Sequence, residues 1–145
     1  MKYTADTSFI IGLFVDEPRT SSAKEIYKYL KANKEKVFIP AQTIVEVIYV
    51  LEKFYKLERK KVAEYIRSIL GTIIFAVEKY GMFYKIMDAY TQNTSINLGD
   101  LIIAEESKNR NILSILTFDK HFEKLGLQVL SSMPIHEAQR AEGNM

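Results

Sequence analysis

Two carboxylates near the end of the chain stand where catalytic or metal-binding acids are often found. The stretch Ser95 to Phe122 predicts a helix, a short turn and a strand, with Asp100 in the first turn of the helix and Asp119 just after the strand. In open α/β sheets, ligands bind where strands deliver polar groups from their carboxyl ends. Asp119 is predicted at such a position, and the preceding helix can bring Asp100 to the same crevice.

Two further acids, Asp6 and Glu46, have more than one interpretation. Lys2 to Ala5 predicts a strand with Asp6 at its carboxyl end, where Asp6 is also a good N-cap for the next element; the two roles are compatible. Glu46 lies in a predicted long helix, from about Gln42 to Tyr55, that is apolar around most of its circumference. Its few polar residues share one narrow lane. From this helix alone, a surface position is favoured for Glu46 over one lining an internal crevice.

The chemistry that four such acids favour is divalent-metal chemistry. Four carboxylates in one crevice would repel each other, and some would stay protonated at neutral pH unless a cation joined them. Mg²⁺ and Mn²⁺ take oxygen ligands and add substrate phosphate to their coordination shell. Such an ion can lower the pKa of a bound water and neutralise charge on a phosphodiester.

Composition and motifs exclude several other chemistries. The chain has no cysteine, which excludes disulfides, thiolate catalysis and cysteine-ligated zinc, and its two histidines, His121 and His136, make no familiar metal-ligand spacing. It contains no dinucleotide-binding or phosphate-binding glycine motif and no nucleophile-elbow serine. The net charge of +2 permits a local basic patch only. No long apolar run or cleavable signal pattern occurs, so a cytoplasmic protein with no membrane association is expected.

The order of predicted elements indicates an α/β fold. Further strands are predicted at residues 37–39, 72–77, 112–116 and 128–130, and the run 112–116 has the composition of a strand buried on both faces. Helices alternate with the strands, without repeats or long linkers. This alternation predicts a mainly parallel central sheet flanked by helices on both faces. With 145 residues, we expect one domain over residues 1–132 and a polar C-terminal tail over residues 133–145.

Four segments in order resemble the PIN domain family, particularly its small VapC-like toxin members. They are TADTSFIIGLF, IVEVIYVL, INLGDLIIAEE and ILSILTFDKHFEKLG, and the resemblance spans about residues 3 to 130. Each motif alone is weak, but the four in order, in matching strand and helix context, are fairly specific. The resemblance places the family's acidic quartet on Asp6, Glu46, Asp100 and Asp119. The resemblance therefore favours Glu46 as a member of the acidic site over Glu46 as a surface residue.

The resemblance also implies an activity and partners. It implies a Mg²⁺- or Mn²⁺-dependent endoribonuclease in which a metal-bound water attacks RNA phosphorus in line, leaving 5′-phosphate and 3′-hydroxyl ends. Asp6, Glu46 and Asp100 would bind the metal or its waters, with Asp119 in support, and the hydroxyls of Thr7 and Thr117 match residues beside the first and last acids. Family members form homodimers and are silenced by a small VapB-like antitoxin.

Several alternatives stay open from the sequence. A non-catalytic PIN-like module that binds RNA or protein is the main one, and a metal-dependent phosphatase on small substrates is less favoured. Two aromatic helix faces are candidate partner surfaces, although core packing is the simpler interpretation of each residue; they are Tyr49 with Phe54 and Tyr55, and Phe83 with Tyr90. The basic run Lys56 to Lys61 is predicted as a solvated turn, with RNA contact as the alternative.

Overall fold

A computed structural model describes residues 1–132 of the chain as alternating helices and parallel strands. The predicted polar tail, 133–145, lies outside the described residues. The elements in chain order are β1 (Tyr3–Thr4), α1 (Thr7–Phe14), α2 (Thr20–Ala32), β2 (Val37–Ile39), α3 (Ala41–Tyr49) followed by a π-helical turn (Val50–Phe54), α4 (Arg59–Leu70), β3 (Phe75–Val77), α5 (Tyr80–Gln92), α6 (Leu98–Lys108), β4 (Ser114–Leu116), a 3₁₀ helix (Lys120–Leu125) and β5 (Gln128–Leu130). They form two compact units, one over Met1–Ser95 and a second that begins at Ile96.

The first unit contains a three-stranded parallel sheet in the order β1-β2-β3. Tyr3 pairs with Val37 and Val37 pairs with Phe75, so the three parallel strands all have their carboxyl ends on the same side of the sheet. Asp6 follows β1 at that second edge, and α3 begins there directly after β2. The sheet therefore presents Asp6 and the start of α3 side by side.

Helices around this sheet bury the apolar residues whose spacing predicted them. The neighbours in contact are α1 with α2, α1 with α3, and α4 with α5. Residues fully removed from solvent include Ile10, Ile39, Ile44, Ile48, Leu51, Ile66, Ile69, Phe83, Met87 and Tyr90. Their burial supplies the main drive for folding of this unit. Phe83 and Tyr90 are core residues, which confirms the simpler interpretation of them and excludes this pair as a partner surface.

The predicted helix from Gln42 to Tyr55 is α-helical only to Tyr49. It continues as a π-helical turn, in which the Tyr55 amide donates to the Val50 carbonyl. Such a turn inserts an extra residue and changes the direction of the side chains within and after it. Tyr49, the last residue of α3, and Phe54, the last residue of the turn, are 65% and 75% exposed, so the apolar circumference of the predicted helix does not make it buried at these two positions.

A polar network beside this turn also corrects the interpretation of the basic run. Arg59, within that run, begins α4 and its side chain is only 9% exposed. It pairs with Glu52 at 3.2 Å and lies 4.5 Å from the centre of the Tyr90 ring, while the Tyr90 hydroxyl donates to Glu52 at 2.7 Å. Arg59 is therefore a packing residue rather than part of a solvated turn or an RNA contact.

The second unit contains α6, the 3₁₀ helix and a two-stranded parallel sheet of β4 and β5. Its buried residues are Ile96, Leu101, Ala104, Phe122, Leu125 and Leu127. Gly126 ends the 3₁₀ helix with a φ of 83°, a left-handed conformation that favours glycine. This tight ending lets the chain turn at once into β5.

Two predicted strands differ from the structure. The strand expected at 72–77 begins only at Phe75, because Thr72 closes a turn by donating to the Ser68 carbonyl and accepting from the Phe75 amide. The strand expected at 112–116 begins at Ser114 and is not buried on both faces, since Leu116 is 79% exposed. A two-stranded sheet has few neighbours to cover it, and short apolar runs do not reveal this.

The predicted fold class is confirmed: the chain is an α/β protein whose parallel strands are flanked by helices. The strands at 37–39 and 128–130 have the predicted bounds. Among the described residues, no helix combines the length and the apolar character needed to cross a bilayer.

Candidate active site

Asp6 lies at the junction of β1 and α1 and caps the helix, as predicted. Its backbone is extended, and its Oδ1 accepts a hydrogen bond from the Phe9 amide at 3.4 Å and another from the Ser8 hydroxyl at 2.9 Å. The residue is exposed. Asp6 thus has both predicted roles. It caps α1, and its carboxylate stays at the surface beside the carboxyl end of β1.

Glu46 is exposed on α3 and lies beside Asp6 and Thr7. The Thr7 hydroxyl donates to Glu46 Oε2 at 2.6 Å, and the Gln42 amide donates to Oε1 at 3.2 Å. These two bonds, that from Thr7 first, hold the pKa of Glu46 below its usual value of 4.5, while the nearby charge of Asp6 acts in the opposite direction. Both interpretations of Glu46 are therefore partly right: it is on the surface and it is close to the first acid.

One contact fixes the segment carrying Asp6 to the helix carrying Glu46, and a second fixes the start of that helix to the end of β3. The buried hydroxyl of Thr43 donates to the carbonyl of Ala5 at 3.0 Å. Glu78, directly after β3, accepts from the Ala41 amide at 2.9 Å at the first turn of α3. Sequence reasoning missed Glu78, although an acid directly after a predicted strand was a usable signal.

In the second unit, Asp100 and Asp119 are linked through a histidine. Asn97 caps α6 by accepting from the Asp100 amide at 2.9 Å, which places Asp100 in the first turn as predicted. His121 Nε2 lies 2.7 Å from Asp100 Oδ2, and its Nδ1 lies 2.6 Å from Asp119 Oδ1. We call Asp100, Asp119 and His121 the aspartate–histidine cluster. Its side chains are 20%, 56% and 26% exposed, so it is open to solvent.

The backbone around Asp119 sets the position of the cluster. Asp119 Oδ1 also accepts from the His121 amide at 3.4 Å and so caps the 3₁₀ helix. The Thr117 hydroxyl accepts from the Asp119 amide at 3.0 Å, which orients the turn between β4 and the 3₁₀ helix. Thr117 is thus a positioning residue in the structure.

His121 is the cluster member that sequence reasoning missed. It was set aside because its distance from His136 matched no metal-ligand spacing. The useful signal was instead the Asp-x-His sequence of Asp119 and His121 at the start of a short helix. That spacing brings a ring nitrogen back to the capping carboxylate.

The aspartate–histidine cluster fits a divalent cation. One possible ligand atom from each residue can be chosen so that all three lie within 4.8 Å of one another. Two ligands of one Mg²⁺ or Mn²⁺ ion lie at most about 4.2 Å apart, twice a ligand distance of about 2.1 Å, and small side-chain rotations close the difference. In the first unit, Asp6 and Glu46 carry further carboxylate oxygens. The four-carboxylate metal site stays a prediction.

A cavity that borders Asp6 is mainly apolar. It has a volume of about 690 Å³, and Asp6 lines it together with Tyr3, Phe9, Ile26 and Tyr29 among others. An apolar wall offers no ligands for a cation. This cleft is therefore not a candidate metal site.

The chain is a parallel α/β protein with acids at the ends of strands and helices, and comparison with known proteins names its family. The model of the PIN domain matches residues 3–127, so the chain belongs to the PIN domain family. It is similar to a VapC ribonuclease of Aquifex aeolicus (strain VF5), with 27% identity over 131 residues that cover 90% of this chain and 96% of the relative. No solved structure matches the chain significantly.

Proposed function

We propose that the chain is a metal-dependent endoribonuclease, the toxin of a VapC-type toxin–antitoxin pair. The observation that carries the proposal is the full-length similarity to a VapC ribonuclease in a chain that retains acids at every position the family resemblance assigns. We propose Asp6, Glu46, Asp100 and Asp119 as the residues that hold Mg²⁺ or Mn²⁺. When bound, the ion neutralises phosphate charge and lowers the pKa of a water nucleophile.

The protein residues have distinct proposed roles in this reaction. Thr7 and Gln42 keep Glu46 ionised and oriented, since their hydrogen bonds favour the carboxylate form. Asn97 and Thr117 orient the backbone that carries Asp100 and Asp119. Because all four side chains make these hydrogen bonds within the protein itself, the acids are positioned before substrate arrives.

The activity is tested by RNA cleavage with purified protein, in Mn²⁺ or Mg²⁺ and in excess chelator. Asp6→Asn and Asp100→Asn should each lower the rate by at least ~10²-fold, because each removes a charged ligand. Asp88→Asn is the matched control: Asp88 is 81% exposed, pairs with Arg67 at 2.8 Å and is not among the proposed metal ligands. Product ends should carry 5′-phosphate and 3′-hydroxyl groups.

Equal cleavage by all variants, with and without chelator, would indicate a contaminating nuclease. Salt-dependent RNA binding without turnover, unaffected by Asp6→Asn beyond a charge effect, would instead identify a non-catalytic binding module. Cleavage of a generic phosphate monoester but not of RNA would identify a phosphatase.

We further propose a homodimer and a small VapB-like antitoxin as partners. The exposed pair Tyr49 and Phe54 is the partner surface that the structure supports, since large aromatic residues are favoured at interfaces and these two are not core residues. Phe54→Ser should weaken self-association measured by sedimentation equilibrium, whereas Tyr84→Ser, at an exposed tyrosine on α5, should not. A monomeric wild-type protein would contradict the dimer.

A further inference from the structure

The side chain of His121 contacts both aspartates of the aspartate–histidine cluster at once. Its two ring nitrogens lie 2.7 Å from Asp100 Oδ2 and 2.6 Å from Asp119 Oδ1. An imidazole nitrogen is a better ligand for the later divalent ions, such as Co²⁺, Ni²⁺ and Zn²⁺, than for Mg²⁺. A histidine at this position therefore changes which ions the site prefers.

We propose that His121 is a metal ligand through Nε2, so that the site binds Mn²⁺ and Co²⁺ in preference to Mg²⁺. This inference rests on the proposed metal-dependent function and adds a nitrogen ligand to its carboxylates. Asp100 would share the ion with His121, because its Oδ2 is the atom already adjacent to Nε2.

The contacts of Asp119 explain why Nε2, and not Nδ1, is the ligand. Asp119 Oδ1 accepts from the backbone amide of His121 and lies against its Nδ1. Nδ1–H can donate to this carboxylate, and an ion at Nε2 would take the place of the proton that Nε2 shares with Asp100, which is released to solvent. Metal-binding histidines usually donate their other ring N–H to a carboxylate or a carbonyl, in just such a triad.

The exposure of the two side chains allows a metal ion to reach His121 and Asp100. His121 is 26% exposed and Asp100 is 20% exposed, so an ion can enter between them from solvent without opening the core. Phe122, which follows His121, is buried and anchors the 3₁₀ helix. The ring is therefore held at the cluster by a fixed backbone.

The decisive experiment is pulsed electron paramagnetic resonance of Mn²⁺ bound to the full-length protein. The expected result is a nitrogen coupling that changes when histidine is labelled with ¹⁵N, that is absent in His121→Gln and that persists in His136→Ala. His136 is the only other histidine of the sequence, and this makes its replacement the matched control. The wild-type measurement stands even if the variant does not fold.

Competition titration supplies an independent readout. His121→Gln should weaken Co²⁺ binding by ~10–100-fold while leaving Mg²⁺ affinity within about threefold, because Mg²⁺ is held mainly by oxygen ligands. Mn²⁺ bound without nitrogen coupling, or equal losses for both ions, would overturn the role of His121 and leave the proposed nuclease function standing. Absence of Mn²⁺ binding to the wild-type protein would overturn both.

Discussion

The hydroxyl of Thr43 donates a hydrogen bond of 3.0 Å to the carbonyl oxygen of Ala5, the residue before Asp6. Among the described residues, Thr43 is the one polar residue that is buried, with an exposure of 6%. The bond joins α3 to the end of β1, and so connects the element carrying Glu46 to the one carrying Asp6. The first-unit acids owe their proximity to this internal contact as well as to their own hydrogen bonds.

Replacing Thr43 by Val should therefore disturb both stability and the acids. The substitution keeps the shape but removes the donor, and a buried carbonyl left without it costs ~1–3 kcal/mol in the free energy of unfolding. Urea denaturation measures this cost, and RNA cleavage should fall with it. Thr43→Ser keeps the hydroxyl and should retain more stability than Thr43→Val; the reverse order would contradict the assignment.

Thr7→Val should raise the pKa of Glu46 toward 4.5, because the hydrogen bond from Thr7 is the largest cause of its lowered pKa. The measurement is an NMR titration of the Glu46 carboxyl carbon in metal-free protein. Thr7→Ser keeps a hydroxyl and should leave the pKa lowered. An unchanged pKa in Thr7→Val would show that Gln42 alone maintains the ionised form.

Tyr90→Phe should destabilise the first unit and change its acid sensitivity. Burial of Glu52 raises its pKa, but the hydrogen bond from Tyr90 and the charge of Arg59 together lower it below 4.5. A lowered folded-state pKa contributes stability that is present above pH 4.5 and is lost as pH falls through the folded value. Losing the Tyr90 hydroxyl should cost ~1–3 kcal/mol at pH 7 and less at low pH.

The measurement for Tyr90→Phe is urea denaturation at a series of pH values from neutral to acidic. Tyr84→Phe is the control, because Tyr84 is 63% exposed and its ring stacks on Tyr80 at 6.1 Å. That variant should match the wild type at every pH. A stability difference between Tyr90→Phe and wild type that is independent of pH would exclude the link to Glu52.

Divalent ions should raise the melting temperature of the wild-type protein. A ligand at a hundred times its dissociation constant stabilises the folded state by about 2.7 kcal/mol, which is a shift of several degrees for a chain of this size. Asp100→Asn and Asp119→Asn should reduce the Mn²⁺-dependent shift, and Asp88→Asn should retain it. Thermal melts with Mn²⁺ and with chelator measure the effect. A wild-type melting temperature that does not change with Mn²⁺ would count against a metal site.

Local features were predictable from the sequence. Asp6, Asn97 and Asp119 all cap helices in the structure, because a capping side chain bonds to amides within three residues of itself. The strand at 37–39 ends at Pro40, as a residue without an amide proton requires. The α/β class followed from the alternation of such elements along the chain.

Features that depend on distant partners were not predictable in this way. Phe83 sits at helical spacing like any amphipathic residue, but only packing shows that it is fully buried. Arg59 belongs to a basic run, yet its environment is set by Glu52 and Tyr90, seven and 31 residues away in the chain. Leu116 had the composition of a buried strand and is exposed because its sheet has two strands.

For the site, the sequence by itself determined which positions are acidic and which of these acids lie at the start of a helix, since residue type and capping are local properties. Tertiary structure decided what each acid contacts. It brought Thr7 to Glu46 across 39 positions and His121 to Asp100 across 21. Such contacts depend on how helices pack on strands, and no spacing along the chain encodes that distance.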